Sequence, residues 1–599
     1  MKKNIYIAFI VLIGSLTACK KGDLDRFPQT QIAPNLFFNS EEDLSLYVNG
    51  LISQPDRNSY LNDQSSDNVA TTAAVEVKNI MGGKANAQNI TTGWTWSRLR
   101  NINYFLENYN KAKVSAEIKN HYAGLARYYR AEFYLDKVKR FSDVPWYSNT
   151  LNPDDEQQLQ KTQDPRTLVM DSVMADLDFA YKNTREKVPS GTPGKWSVAT
   201  LYARAALYEG TYRKYHDELN LKSTANKFLE TAARVAGEII ASNKFSINNT
   251  KRPEQDYADL FSSQDLSLNP EIILVNAFDM NKNRSQNVNS VVFGNYEQAP
   301  AKDLIQAYLM KDGSRFTDLP NYDKTSFVKE FENRDPRLAQ TIAYPGWVRN
   351  TASIPTTYIQ ELNKNFTGYH QLKGFVNSND NTILNGVDFP VYRYAEALLI
   401  YAEALAELGT ITQSDLDRSL NLLRQRAGLP NLNLAAANAN PDPIMSLQFP
   451  NINSNKGLIM EIRRERRVEF AFENSRYDDI MRWKAGKLLT KSPEGIYFPG
   501  LGKYDMTGDG IEDIILIDQG MTIPAEGKKQ VNSLRVELVY YRAGSIGSDV
   551  TVYLKNGNAG GNIVTESVPR NFEEPKYYYR PVPQQQVLLN PNLKQIFGW

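Results

Sequence analysis

Beyond residue 40, apolar positions recur at helical spacing through most of the chain. In 116–139 the stripe runs Ile118, Ala123, Ala126, Ala131, Leu135 and Val138, the pattern of a helix with one buried face. Segments 167–183, 197–214, 226–242, 391–408 and 414–427 repeat the style. They are rich in Ala and Tyr, and several are separated by short Gly or Pro breaks. Small contacts between paired helices predict TPR-like packing. A strict period of about 34 residues is not evident, so the pairing is expected to be irregular.

Between these helices lie long polar stretches at 54–93, 243–300, 312–390 and 430–455. Loops of that length in a compact protein are usually functional. From 487 to 599 the pattern shifts toward strands and irregular structure, with β-type runs at Val536–Tyr541 and Val550–Leu554. The reading is an all-α class, mainly helix with irregular loops and a few short strands.

The N-terminus follows a different rule. Lys2 and Lys3 precede an apolar run from Ile5 to Leu16, interrupted by Tyr6, Gly14 and Ser15. It falls short of the roughly 20 residues a spanning helix needs, and reads as a secretory signal. Leu16-Thr17-Ala18-Cys19 follows, holding the chain's one cysteine. This looks like a bacterial lipobox, in which Cys19 becomes the lipidated first residue of the mature protein. Acyl chains contribute about 0.8 kcal/mol per buried methylene, so two or more hold a protein stably at a membrane. The polar Lys20–Asp25 segment suits a tether. No later stretch is long and apolar enough to cross a bilayer.

Composition removes several function classes. The 599 residues carry 69 basic and 68 acidic side chains, a net charge of +1. A nucleic-acid binder needs a basic surface to displace counterions, so none is expected as partner. A single cysteine excludes an internal disulfide and a Cys-based zinc site. The three histidines, His121, His216 and His370, show no metal spacing. Arg463-Arg464-Glu465-Arg466-Arg467 is basic, yet Glu461, Glu465, Glu469 and Glu473 run through the same helix at four-residue spacing. Such pairs predict charge-paired helix and not a nucleic-acid surface. Asp335-Pro336-Arg337 reads as a proline-fixed turn with an ionic contact, and Trp96, Trp196 and Trp483 as core.

Aromatic residues make up 11% of the chain, with 34 Tyr. Trp94, Tyr296, Tyr344, Trp347 and Tyr369 sit in polar loops, off the periodic helical faces. They are candidate stacking platforms for a ligand, since a few aromatic anchors usually carry most of an affinity. The bland alternative is that they pin their loops down. Asp505-Met-Thr-Gly-Asp-Gly-Ile-Glu-Asp513 is similar to a calcium loop: Asp505, Thr507, Asp509 and Asp513 would supply oxygens and Gly510 the sharp turn. Thr507 replaces the usual acid or amide and the bidentate Glu is missing, so a plain Asp-Gly turn stays open beside calcium. No other cofactor is expected.

Several segments together resemble one family. They include Phe27-Pro28-Gln29-Thr30, Leu36–Asp43, Trp96 and Asn103–Leu106, Gly124–Leu135 with Arg140–Pro145, Glu332–Leu338, Arg393–Ala404, Arg424–Gly428, Glu465–Glu473 leading into Arg476–Trp483, and the ending Asn590–Trp599. In this order they resemble the SusD/RagB family over nearly the whole chain. The resemblance implies a SusD-like α-α superhelix with TPR-like helix pairs and no catalysis. It further implies a lipid-anchored outer-membrane protein that binds glycan at the cell surface and serves as lid to a SusC-type TonB-dependent transporter. Binding positions vary within the family, so none is carried over. The divisions expected are a signal at 1–18, a tether at 19–39, an N-terminal helical region at 40–245 and a C-terminal region at 246–599 with the ligand loops. Three alternatives remain: a RagB-type peptide-binding lid, a surface hydrolase, whose paired carboxylates no motif marks, and a structural partner of the transporter without ligand affinity.

Overall fold

The computed structural model describes residues 37–294, 296–350, 354–379 and 384–599. The expected signal, Cys19 and most of the tether lie outside them. The periodic segments fold as helices: α1 (Ser97–Asn108), α2 (Ala116–Phe141), α3 (Arg166–Asn183), α4 (Lys195–Tyr215), α5 (Ala225–Ala241), α6 (Tyr394–Leu408), α7 (Lys456–Glu469) and α8 (Arg476–Arg482). The start of α2 shows why a helix begins there. Ser115 caps it by accepting from the Ile118 amide, Glu117 sits in the first turn, and Lys139 and Arg140 face the dipole in the last.

Consecutive helices stack on one another, α2 on α3, α3 on α4 and α4 on α5, and α6 then packs on α5 across a long gap in sequence. Small residues set the separation. A Cβ on Gly124 of α2 would lie 3.4 Å from the Ala180 backbone of α3, and one on Gly210 of α4 would meet Leu229 of α5 at 2.9 Å. The expected mainly-α, TPR-like pairing is therefore present.

Two expected helices differ. The 391–408 segment opens as strand: β2 (Phe389–Arg393) pairs antiparallel with β1 (Ile272–Asn276) before α6 begins. Its β-branched and aromatic Val391 and Tyr392, behind Pro390, suit an extended edge. The 414–427 segment breaks into Gln413–Asp417 and Leu420–Arg426. Near the C-terminus β3 (Glu494–Phe498) pairs with β8 (Gly561–Val564), and β4 (Gly502–Tyr504), β5 (Ile514–Asp518), β6 (Val539–Gly544) and β7 (Val552–Tyr553) form one sheet in the order β7-β6-β5-β4. β5 and β6 are parallel, with Ile514 opposite Val539 and Leu516 opposite Tyr541. One apolar core runs through the helices and includes Trp483, Phe572 and Tyr579. A second gathers the loops around Phe293 and Trp347 with Leu516 and Val552 of the sheet.

The charges of α7 are not a solvated face. Arg463 and Glu469 are fully buried, and their partners come from other segments. Glu469 meets Arg337 at 3.0 Å, Arg393 at 3.0 Å and Arg426 at 2.5 Å. Arg393 also reaches Glu271 and Glu473, both at 2.7 Å. Arg337 completes the set with Asp335 at 2.8 Å and Glu465 at 2.6 Å. The expected pairing within the helix survives between Arg464 and Glu461 at 3.3 Å, and beside it runs a buried brace across the fold. Four-residue spacing points the acids of α7 one way, and arginines from Glu332–Leu338, Arg393–Ala404 and Arg424–Gly428 converge there. Burial would raise the Glu469 carboxyl, but Arg426, Arg393 and Arg337 hold it well below the usual carboxylate range. Asp335 makes the expected ionic contact, and its side chain also caps a short helix that starts at Pro336.

Candidate functional site

The turn before α1 carries Trp94 and Trp96, and Lys137 of α2 fixes its course. The ammonium donates to the Gly93 carbonyl and, at 2.8 Å, to that of Thr95. It also lies 5.2 Å above the Trp96 ring. Burial lowers the Lys137 ammonium to about 8. Trp94 packs edge-on against Phe141 at 4.8 Å and against Trp96 at 5.6 Å. Trp96 in turn meets Tyr147 edge-on at 5.6 Å. Trp96 and Tyr147 are half-buried and Trp94 is buried to 7% exposure.

These three rings line a cavity of about 480 Å³, walled on another side by Leu589, Asn590 and Leu593 near the C-terminus. The size falls in the usual range for a small-molecule site, about 300–1,000 Å³. Its polar rim is amide and hydroxyl chemistry, from Ser97, Asn149, Thr150, Gln160 and Gln586. Arg100 is the one charged residue among the described residues that line it. The walls are fixed by hydrogen bonds across the chain. Asn103 donates to the Tyr147 and Asn149 carbonyls, both at 3.0 Å, and Asn590 donates to the Lys161 carbonyl at 2.9 Å. The arrangement offers ring faces for stacking and neutral donors and acceptors for hydroxyl groups. No carboxylate lines it to move a proton.

The other four candidate platforms lie elsewhere. Trp347 belongs to an aromatic cluster with Phe293 at 5.6 Å and Tyr358 at 5.6 Å, and is 7% exposed. His370 stacks on Phe293 at 3.7 Å, bonds Tyr358 Oη at 2.8 Å and bonds the Phe293 carbonyl at 3.0 Å. Burial lowers this imidazole to about 3, so it is neutral. Tyr344 is half-buried beside the same cluster. Tyr369 is fully buried, with its hydroxyl donating to Glu330 at 2.5 Å. It is interior and offers no face to a ligand, which corrects the expectation of an exposed platform. Tyr296 is the exposed member, at 44%, with Lys364 5.7 Å from its ring centre. Sequence reasoning found Trp94 and missed Trp96 and Tyr147. The signal was the Trp-x-Trp spacing ahead of a helix, which puts both rings in one turn.

The Asp505–Asp513 loop forms no metal cage. Asp505 accepts from the amides of Thr507, Gly508 and Gly510 at 2.6–2.9 Å. Asp513 accepts from Met506 and Thr507 at 2.7 and 2.9 Å, and Asp509 from Ile511 at 2.8 Å. Each of these carboxylates accepts at least one bond from the loop's own backbone. Among the described residues no group of three or more His, Cys, Asp or Glu is placed to hold a metal ion. The loop is an Asp-Gly turn, with Gly508 and Gly510 at positive φ, that feeds β5.

Fold and cavity together describe stacked helices that enclose an aromatic-walled cleft. The profile of the SusD family matches residues 270–599, so the chain belongs to the SusD family. The SusD-like protein P38 of Formosa agariphila is 25% identical over 516 residues, which cover 80% of this chain and 91% of that one. A SusD-like protein from Bacteroides fragilis shares the fold with a TM-score of 0.68 at 20% identity, over 96% of this chain and all of that one. A SusD-like carbohydrate-binding protein from the same organism gives a TM-score of 0.66 at 23% identity, over 93% of this chain and all of that one.

Proposed function

We propose that this protein is a non-catalytic capture protein, lipid-anchored through Cys19 at the outer face of an outer membrane. There it binds oligosaccharide and passes it to a SusC-type TonB-dependent transporter. The observation that carries the reading is the Trp94–Trp96–Tyr147 cavity: aromatic walls, an amide and hydroxyl rim, and no acid among its lining residues. Sugar rings present apolar C–H faces and a belt of hydroxyls, which match walls and rim respectively. Glycoside hydrolysis needs two carboxyl groups flanking the bond, and this site supplies none. Membership of the SusD family and a fold shared with a carbohydrate-binding protein support the same reading. Among the described residues no helix is long and apolar enough to cross a membrane, so attachment in this reading rests on the lipid.

A second reading has one observation in its favour. Five leucines line the cavity, and Leu159 and Leu589 among them are 43% and 64% exposed. Apolar side chains of a peptide would fit them, as in a RagB-type lid. The test is a calorimetric screen of the chain from residue 20 onward against neutral oligosaccharides and peptide digests, with product analysis. Saturable binding of a glycan without cleavage, weakened about tenfold by Trp96→Ala, fits the loss of one stacking contact. Binding of peptides alone transfers the site to the second reading, and release of shorter sugars rejects both.

A further inference from the structure

Trp96 and Arg100 stand one helical turn apart at the start of α1, where the Arg100 amide donates to the Trp96 carbonyl at 3.1 Å. Residues four apart lie one above the other on a helix face, and both of these line the aromatic cavity. Arg100 is exposed, and it carries the one charge of the described lining. The acids nearest in the chain, Glu107, Asp154, Asp155 and Glu156, do not line the cavity. Glu107 is moreover engaged by the Thr150 amide and hydroxyl, both at 2.7 Å.

The Arg100 guanidinium makes one hydrogen bond among the described residues, from Nη1 to the Leu151 carbonyl at 2.5 Å. That bond holds one end of the group against the wall and leaves Nε and Nη2 without a partner there. Nε–H and Nη2–H project in parallel from one edge of a guanidinium, a fork that matches two oxygens of a carboxylate or a sulfate. The fold uses this same edge to hold carboxylates elsewhere. Arg476 grips Asp67 with Nε at 2.7 Å and Nη2 at 2.8 Å, and Arg204 grips Glu396 at 2.5 and 2.7 Å. Arg100 forms no such pair within the described chain, so its fork is open to a ligand.

We propose that the aromatic cavity takes an acidic oligosaccharide, one sugar of which stacks on Trp96 while its carboxylate or sulfate ester receives the Nε–Nη2 edge of Arg100. This rests on the glycan reading of the cavity and names the class of glycan. Trp96 positions the ring, and Arg100, one turn further along the helix, reads the charged substituent. With no acid in the described lining to repel it, the anion gains a charge-assisted contact that a neutral sugar lacks. Water already solvates the exposed fork in the free protein, so the gain is about fivefold in affinity, the upper end for an ion pair open to solvent.

The experiment is calorimetric titration of the chain from residue 20 onward with two matched pairs of probes. One pair is trigalacturonate and its methyl ester; the other is a κ-carrageenan tetrasaccharide and its desulfated form. The acidic member of at least one pair should bind about fivefold more tightly than its neutral counterpart, and added salt should narrow the gap. Arg100→Met should erase the preference. Arg100→Lys, which keeps the charge without the fork, should retain part of it, and Trp96→Ala should weaken both members alike. Unchanged melting of the Arg100 variants verifies their fold. A preference within the uronate pair identifies a carboxylate, and one within the carrageenan pair a sulfate ester. Equal binding of both members of each pair, or a preference that Arg100→Met leaves intact, overturns the inference and leaves the glycan reading standing. Binding of other neutral oligosaccharides with none of these four overturns the inference alone, and no binding of any sugar overturns the glycan reading with it.

Discussion

Glu469 shows what one residue does in this fold. Its carboxylate is fully buried and neutralised by three arginines from three other segments. Removing the charge while leaving the arginines in place strands buried cations. Glu469→Gln should therefore destabilise the protein by about 3–5 kcal/mol, read from the midpoint shift in urea unfolding. Retention of wild-type stability would mean that the brace is dispensable. Histidines act oppositely with pH. Burial lowers His370 to about 3 and His121 to about 4, whereas both titrate near 6.5 when unfolded. Between those limits the unfolded chain binds protons that the folded chain refuses. Stability is then fully present above about pH 6.5 and falls on acidification, by about 1.4 kcal/mol per pH unit for each histidine. Denaturant melts from pH 7 to pH 4.5 should show this slope, and His370→Gln should make it shallower; an unchanged slope in that variant would remove His370 from the account.

Among the elements, helix separation is governed by single small residues. A side chain on Gly210 of α4 would drive into Leu229 of α5. Gly210→Val should cost about 1–3 kcal/mol through overpacking, seen as a lowered melting temperature with helical content kept. The helices themselves were legible in the sequence because an apolar stripe is a local signal. α2 and α3 are found within two residues of where periodicity puts them. What the periodicity does not carry is which face a charge serves. The glutamates of α7 have the same four-residue spacing whether they face water or Arg393, and the partners lie far away in sequence. The candidate site was half legible for the same reason. Trp94 and Trp96 announce an aromatic turn, but Leu589, Asn590 and Leu593 close the cavity from the far end of the chain. Tyr369 sits among polar neighbours in sequence, yet folds inward to meet Glu330.

For the whole molecule, the proposed function makes anchoring and binding separable. The lipobox resemblance assigns attachment to Cys19 alone, so Cys19→Ser should move the protein out of the membrane fraction and abolish incorporation of labelled palmitate. The same variant should bind ligand as the wild type does in solution; persistent membrane association would point to another anchor. The brace between α7 and its partners has a consequence for how such a chain is made. Its members come from residues 271, 335–337, 393, 426 and 465–473. Roughly 200 residues must be gathered before the charges cancel, and long loops close slowly. Half-assembled, the cluster leaves bare charges out of water and is worse than none. Intermediates along the way are therefore unfavourable, and the second half of the chain acquires structure late and in one concerted step. A polypeptide still emerging from its exit channel stays pliable until Glu473 is out, which would suit the export across one boundary and settling at another that the proposed function entails.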